Sequence, residues 1–161
     1  MTITSRLALR EITADTVRDI CDLTTTKAQE NFVAPNAVSI AEAYFCKEAW
    51  FRAIYCSDTP VGFVMLHQQP DKGEYFLWRF MIDQAHHGKG YGKEAMRLIL
   101  DHVRTQPDAT VLKLSCVPGE GSPEEFYIKL GFTFTGEIED GEKIYTIALD
   151  YHGLPPIVPI A

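Results

Sequence analysis

Apolar and polar positions along the chain change period several times, and each change marks a predicted element. Arg6 to Ile12 alternates, which predicts a strand, and Val17, Ile20, Cys21, Thr24 and Ala28 then fall at helical spacing behind turn-prone Thr13 and Asp15. Ser39-Ile40-Ala41-Glu42 has the S-x-x-E form of a capping box, so a second helix is expected to start there. The β-rich runs Phe51 to Cys56, Val61 to His67 and Glu74 to Ile82 are parted by Ser57-Asp58-Thr59-Pro60 and Pro70-Asp71-Lys72-Gly73, which predicts an antiparallel meander. From Gly90 the period becomes helical, with Ala95, Met96, Ile99, Leu100 and Val103 on one face and Thr105-Gln106-Pro107-Asp108 closing the helix. Val111, Leu112, Leu114 and Cys116 predict a buried strand. Ser122-Pro123-Glu124-Glu125 opens a short helix to Leu130, since serine caps, proline suits the first helical position and carboxylates suit the positive helix end. Gly131 ends it, and Phe132 to Ile138 pairs with Lys143 to Leu149 across Asp140-Gly141.

Strands on both sides of a helical crossover, with an antiparallel front half, indicate an α/β chain built on a mixed sheet. Residues 1–150 read as one domain, and residues 151–161 as a proline-rich tail that cannot be a central strand. The 161 residues and 46% hydrophobic content suffice for one core. No apolar run approaches the roughly 20 residues of a membrane span, and the N-terminus lacks a secretory apolar stretch, so the expected location is the cytoplasm and no membrane partner is expected.

Charge narrows the partners. Fifteen basic against 22 acidic residues give a net charge of −7 without a visible basic patch, which argues against nucleic acid and favours a cationic small molecule. Cys21, Cys46, Cys56 and Cys116 lack C-x-x-C spacing and read as reduced core residues, while His67, His86, His102 and His152 have no ligand-like company in sequence, so no metal is expected.

The densest motif is His86-His87-Gly88-Lys89-Gly90-Tyr91-Gly92-Lys93, between a strand end at Ile82 and a helix. Three glycines in five residues let backbone N–H groups face one point, which is what a phosphate needs at a helix N-terminus. The competing reading is a mobile surface turn. Two better-known phosphate loops are excluded: five positions after Gly88 stands Lys93 where the G-x-x-x-x-G-K-[ST] loop has glycine, and Lys93 also fills the third glycine position of G-x-G-x-x-G.

Together with Leu77-Trp78-Arg79-Phe80-Met81-Ile82-Asp83 and Phe126-Tyr127-x-x-Leu130-Gly131-Phe132, this loop resembles the GNAT superfamily of N-acetyltransferases, and within it the bacterial spermine/spermidine (diamine) acetyltransferases. The resemblance runs from about Val61 to Leu149; the N-terminal third matches only in element order. It implies a GNAT-like acyl-CoA N-acyltransferase fold, with a central, mostly antiparallel sheet flanked by helices, and acetyl-CoA as cosubstrate. It further implies that Phe80, Met81 and Ile82 lie on a strand splayed from its neighbour, whose backbone takes the pantetheine arm like an added strand. Backbone amides from His87 and Gly88 through Lys89, Gly90, Tyr91 and Gly92 to Lys93 would then hold the pyrophosphate. Three positions depart from the family: His87 stands where glutamine or arginine is usual, Glu120 where an asparagine often precedes the tyrosine by seven residues, and Trp78 where the diamine enzymes tend to carry aspartate.

Attack of an amine on a thioester needs a neutral amine, a donor for the oxyanion and a proton for the departing sulfur. An alkylamine has a pKa of about 10.4, so a carboxylate or water chain has to remove its proton. The resemblance implies Tyr127 as the acid that protonates sulfur; by itself the residue would read as a core aromatic beside Phe126. Glu120, Glu124 and Glu74 are candidate bases, with Glu120 retained as a catalytic candidate. Glu30, Asn31, Tyr75, Trp78 and Glu120 are the candidate substrate contacts, carboxylates pairing with ammonium groups and aromatics covering methylenes, while core packing competes for both aromatics. The expected activity is acetylation of a small primary amine, with a polyamine such as spermidine or spermine foremost. The alternatives are another amine (an amino sugar, an amino acid or a peptide N-terminus) or a non-catalytic acetyl-CoA sensor. Family members are often dimers, so a homodimer is an expected assembly.

Overall fold

The computed structural model describes residues 6–149, so expectations for residues 1–5 and for the tail, residues 151–161, lie outside the described residues. Seven strands among them form one mixed sheet: β1 (Leu7–Arg10), β2 (Ala49–Cys56), β3 (Thr59–Gln69), β4 (Glu74–Ile82), β5 (Val111–Cys116), β6 (Thr133–Glu139) and β7 (Glu142–Ala148). The order across the sheet is β1-β2-β3-β4-β5-β7-β6. Every pairing is antiparallel except β4 with β5, which α3 (Tyr91–Arg104) connects. The remaining helices are α1 (Val17–Cys21), α2 (Asn36–Tyr44) and α4 (Glu124–Leu130).

Alternation along β3 builds the layers. Val64 and Leu66 belong to a core shared with α3 and α4, whereas Phe63 and Met65 belong to a second cluster with Ile20 of α1 and Ile40 of α2. The buried face of α3 is Ala95, Met96, Ile99, Leu100 and Val103, the face expected from periodicity. Complete burial of such side chains stabilises by roughly 1.5–3 kcal/mol each. The hairpin joining β6 to β7 also forms as expected, with φ 50° at Asp140 and 80° at Gly141, the two left-handed residues of a tight two-residue turn.

Two expectations are corrected. The first helix stops at Cys21 rather than continuing to Ala28. Thr24, Thr25 and Thr26 are poor helix formers, and the end of β4 captures the segment instead: Thr24 N–H donates to Asp83 Oδ1 at 2.8 Å, and Gln84 N–H to the Thr24 carbonyl at 2.8 Å. The second helix begins at Asn36, three residues before the supposed capping box. Ser39 therefore lies fully buried inside the helix, its hydroxyl without a partner, while Asn36 Nδ2 donates to the Ile20 carbonyl at 2.9 Å and ties α2 to α1. None of the helices among the described residues is long and apolar enough to cross a membrane.

Candidate active site

Strands β4 and β5 meet at a single register pair, Phe76 with Lys113, and then diverge. The cause is local. Met65 faces Arg79 and Leu66 faces Leu77, so Trp78 is the extra residue of a β-bulge that bends β4. Beyond Phe76, the edge of β4 that turns toward β5 is left open, a template for an extended chain. A cleft of about 480 Å³ fills the gap. Phe80, Met81 and Ile82 line one side, Leu114 and Ser115 of β5 another, and Phe126 and Tyr127 of α4 the floor. The segment that follows the shortened first helix supplies the remaining wall through Gln29, Phe32 and Val33.

At one mouth the glycine loop turns into α3. His87, Gly88, Gly90, Tyr91, Gly92 and Lys93 all border the cleft. Gly90 caps α3 with φ 79°, a left-handed conformation that a Cβ would disfavour. Gly92 serves close approach instead, because a Cβ there would stand 3.1 Å from the Phe126 ring. The first turn of a 14-residue helix thus presents its free N–H groups to the cleft, a site suited to phosphate. Two side chains of the loop are otherwise engaged. His87 Nε2 donates to the Ile82 carbonyl at 2.7 Å, so this imidazole fastens the loop to the end of β4, and the neutral ring has no second N–H to offer an anion. Lys89 lies 3.2 Å from His86 Nδ1 and over the Tyr91 ring, outside the lining of the cleft, while Lys93 borders it.

Tyr127 is the buried residue of α4, braced edge-on by Phe126 and Phe132. Burial, and after it the nearby Cys116, raise its pKa above the ordinary phenol value, so the hydroxyl keeps its proton. A protonated phenol on the floor of the cleft can donate but not accept a proton near neutrality.

A second cleft of about 610 Å³ shares Phe32, Val33, Trp78, Arg79 and Ser115 with the first. Its further lining carries the carboxylates of Glu30, Glu139, Asp140 and Glu142 and the amide of Asn31, beside apolar Ala34, Pro35, Phe76 and Ile144. Sequence reasoning found Glu30, Asn31 and Trp78 and missed the hairpin carboxylates, whose only sequence signal was a turn. Ser115, at the junction of the clefts, donates from Oγ to Glu142 Oε2 at 3.3 Å. Glu124, another candidate base, is taken up by a hydrogen bond from the Tyr145 hydroxyl and by Lys143 Nζ at 3.1 Å, and these bonds lower its pKa. A carboxylate so held is a weak base and a structural anchor.

Two other expected contacts do not reach a cleft. Tyr75 is buried in the core with its hydroxyl donating to the Pro107 carbonyl at 2.6 Å, because strand alternation points it to the α3 side. Glu120 is exposed on its loop and lines neither cleft, because the turn at Gly121 packs against Ala28 and Phe32 and leaves the neighbouring side chain outside.

A model of the acetyltransferase (GNAT) family matches residues 17–132. The chain belongs to that family. It is an acetyl-CoA-dependent N-acetyltransferase. The open β4 edge and the N-terminus of α3 offer what a pantetheine diphosphate needs, a strand partner and phosphate-binding N–H groups. The acetyltransferase is similar to the spermine/spermidine N(1)-acetyltransferase of Bacillus subtilis (strain 168), at 27% identity over 143 residues, 84% of this chain and 94% of the relative. Among solved structures, a spermidine N-acetyltransferase SpeG chimera from Vibrio cholerae and hSSAT shares the fold at TM-score 0.67 and 16% identity, covering 90% of this chain and 96% of that one. The ribosomal L7/L12 alpha-N-protein acetyltransferase RimL in complex with coenzyme A does so at TM-score 0.70 and 14% identity, covering 91% and 96%.

Proposed function

We propose that this acetyltransferase moves the acetyl group onto a primary amine of a polyamine such as spermidine or spermine. The observation that carries the reading is the acidic cleft joined to the donor cleft through Trp78, Arg79 and Ser115. A polyamine is a chain of ammonium groups spaced by methylenes. Glu30, Glu139 and Asp140 offer carboxylates along the cleft, and Phe76 and Trp78 offer aromatic walls for the methylenes and for cation–π attraction. The net charge of −7 adds long-range attraction for a polycation. The name of the Bacillus subtilis relative supports the same acceptor.

The chain's own groups supply two proton transfers. Glu142, reached directly or through Ser115 Oγ, takes the proton that the acceptor nitrogen loses as it bonds to the acetyl carbon. Tyr127 passes its phenolic proton to the sulfur as the carbon–sulfur bond breaks, and the sulfur leaves as a thiol.

The test is release of free thiol from acetyl-CoA against a panel of amines. Spermidine and spermine are expected to exceed amino sugars and peptide N-termini at least tenfold in kcat/KM. Turnover of amino sugars without polyamines rejects the acceptor assignment, and no thiol with any amine favours a sensor. Glu139→Gln is expected to raise the polyamine KM about fivefold, the ~1 kcal/mol of one solvent-facing ion pair. Glu142→Gln is expected to lower kcat about 10²-fold.

A further inference from the structure

Three side chains that the acyl-transfer clefts do not use converge where α2 hands over to β2. Cys46 sits in the turn after α2, its N–H donating to the Ala43 carbonyl at 3.2 Å and its carbonyl accepting from Ala49 N–H at 3.1 Å. Two residues on, the Glu48 carbonyl accepts from Gln68 N–H at 2.9 Å, which fixes that residue to β3. His67 stands opposite Ala49 in the β2–β3 ladder, its ring edge-on to Trp78 with centroids 6.2 Å apart. The Cys46 sulfur, a Glu48 carboxylate oxygen and a His67 ring nitrogen thereby all lie within 4.8 Å of one another, each side chain half-buried. The thiol donates to Glu48 Oε2 at 3.6 Å.

We propose that Cys46, Glu48 and His67 form a binding site for a borderline-soft divalent cation, with Zn²⁺ the best fit. The donor set is one sulfur, one nitrogen and one oxygen, the mixture that Zn²⁺ takes and that Mg²⁺ and Ca²⁺ do not. Charge balances as well: a thiolate and a carboxylate neutralise the cation, and imidazole binds neutral. Ligand atoms of a tetrahedral zinc site lie about 3.5 Å apart, given metal–ligand bonds of roughly 2.0–2.3 Å. The trio has to contract by about 1.3 Å at most, within reach of χ rotations at Cys46 and Glu48 on a fixed backbone. Three protein ligands leave a fourth position for water. Lys47 Nζ, 3.8 Å from Glu48 Oε1, is highly exposed and free to swing away, and such a surface pair opposes little. Binding releases the Cys46 proton to solvent, so affinity rises with pH. The proposed cation departs from the expectation of no metal, for which His67 had no ligand-like company because Cys46 and Glu48 stand some twenty residues earlier in the chain.

The experiment titrates the chelator-washed full chain with Co²⁺ and then Zn²⁺. The expected result is a near-ultraviolet thiolate-to-Co²⁺ charge-transfer band that saturates at one cation per chain, bleaches on Zn²⁺ addition, and is lost in Cys46→Ser. His67→Ala is expected to weaken binding at least tenfold, and Cys21→Ser to leave it unchanged. A variant-free readout covers the case in which Cys46→Ser does not fold: Zn²⁺ should protect Cys46 of the wild-type chain from alkylation, read by peptide mass spectrometry. Absence of the band, its persistence in folded Cys46→Ser, or alkylation of Cys46 indifferent to Zn²⁺ overturns the assignment.

Discussion

Tyr127 lines the cleft between β4 and β5 and Glu142 the acidic one, and the proposed division of labour between them follows from surroundings rather than residue type. Burial keeps the Tyr127 proton in place, while Glu142 faces the acidic cleft and accepts from Ser115. Tyr127→Phe keeps the ring packing against Phe126 and Phe132 and removes only the acid. We expect kcat to fall about 10²–10³-fold, with the affinity for acetyl-CoA within a factor of three by calorimetry. Wild-type turnover at every pH would remove the phenol from the mechanism. Glu124, by contrast, belongs to the scaffold: its carboxylate joins α4 to Tyr145 and Lys143 of β7.

At the scale of elements, α3 connects chemistry to folding. Its apolar face fastens the crossover to the sheet, and its N-terminus points free N–H groups at the cleft between β4 and β5. Gly92 admits the Phe126 ring against the first turn, and that ring stacks on Phe80 with centroids 6.3 Å apart. Gly92→Ala brings a Cβ to 3.1 Å from that ring, so the ring and the cleft wall it forms have to give by a few tenths of an ångström. A tenfold or larger rise in the Kd for coenzyme A is expected in calorimetry, with a stability loss of about 1–3 kcal/mol in urea unfolding. Gly90→Ala instead strains the backbone, by roughly 1–2 kcal/mol, without crowding any neighbour within 4 Å. Comparing the two separates the effect of loop conformation from that of cleft shape.

For the whole molecule, titratable groups bound the pH range of stability. On the acid side, burial and then Arg52 lower the pKa of His102, which stacks on Trp50 and bonds Gln68 Oε1 at 2.9 Å. Its neutral form is favoured when folded, so that contribution is complete above the ordinary imidazole pKa and lost as pH falls from there through the lowered folded value. The lowered pKa of Glu124 works in the same sense at lower pH. On the alkaline side, burial raises Cys116 to about 12, and burial with the Glu124 hydrogen bond raises Tyr145 to about 12. Their contribution is complete below the unfolded thiol and phenol values and lost as pH climbs toward 12. Thermal melts are expected to give a plateau near neutrality, with His102→Gln flattening the first acid step. An unaltered step would assign it elsewhere.

Periodicity alone determined α3, the strands of the meander and the β6–β7 hairpin, because a buried stripe and a two-residue Asp-Gly turn are local properties. The glycine turn was likewise legible, as residue types at short spacing, whereas Tyr127 was singled out only by the family resemblance and by itself read as a core aromatic. What tertiary structure decided is everything that depends on distant segments meeting. The end of β4 drew Thr24 out of a helix and made a cleft wall of the chain after it. A bulge at Trp78, invisible in alternation, opened the sheet. The turn between β6 and β7 brought Glu139, Asp140 and Glu142 to the second cleft, and the β2–β3 ladder set His67 beside Cys46 and Glu48. Side-chain patterns encode which face is buried, whereas a site is a coincidence of faces, and that is fixed only when strands are in register.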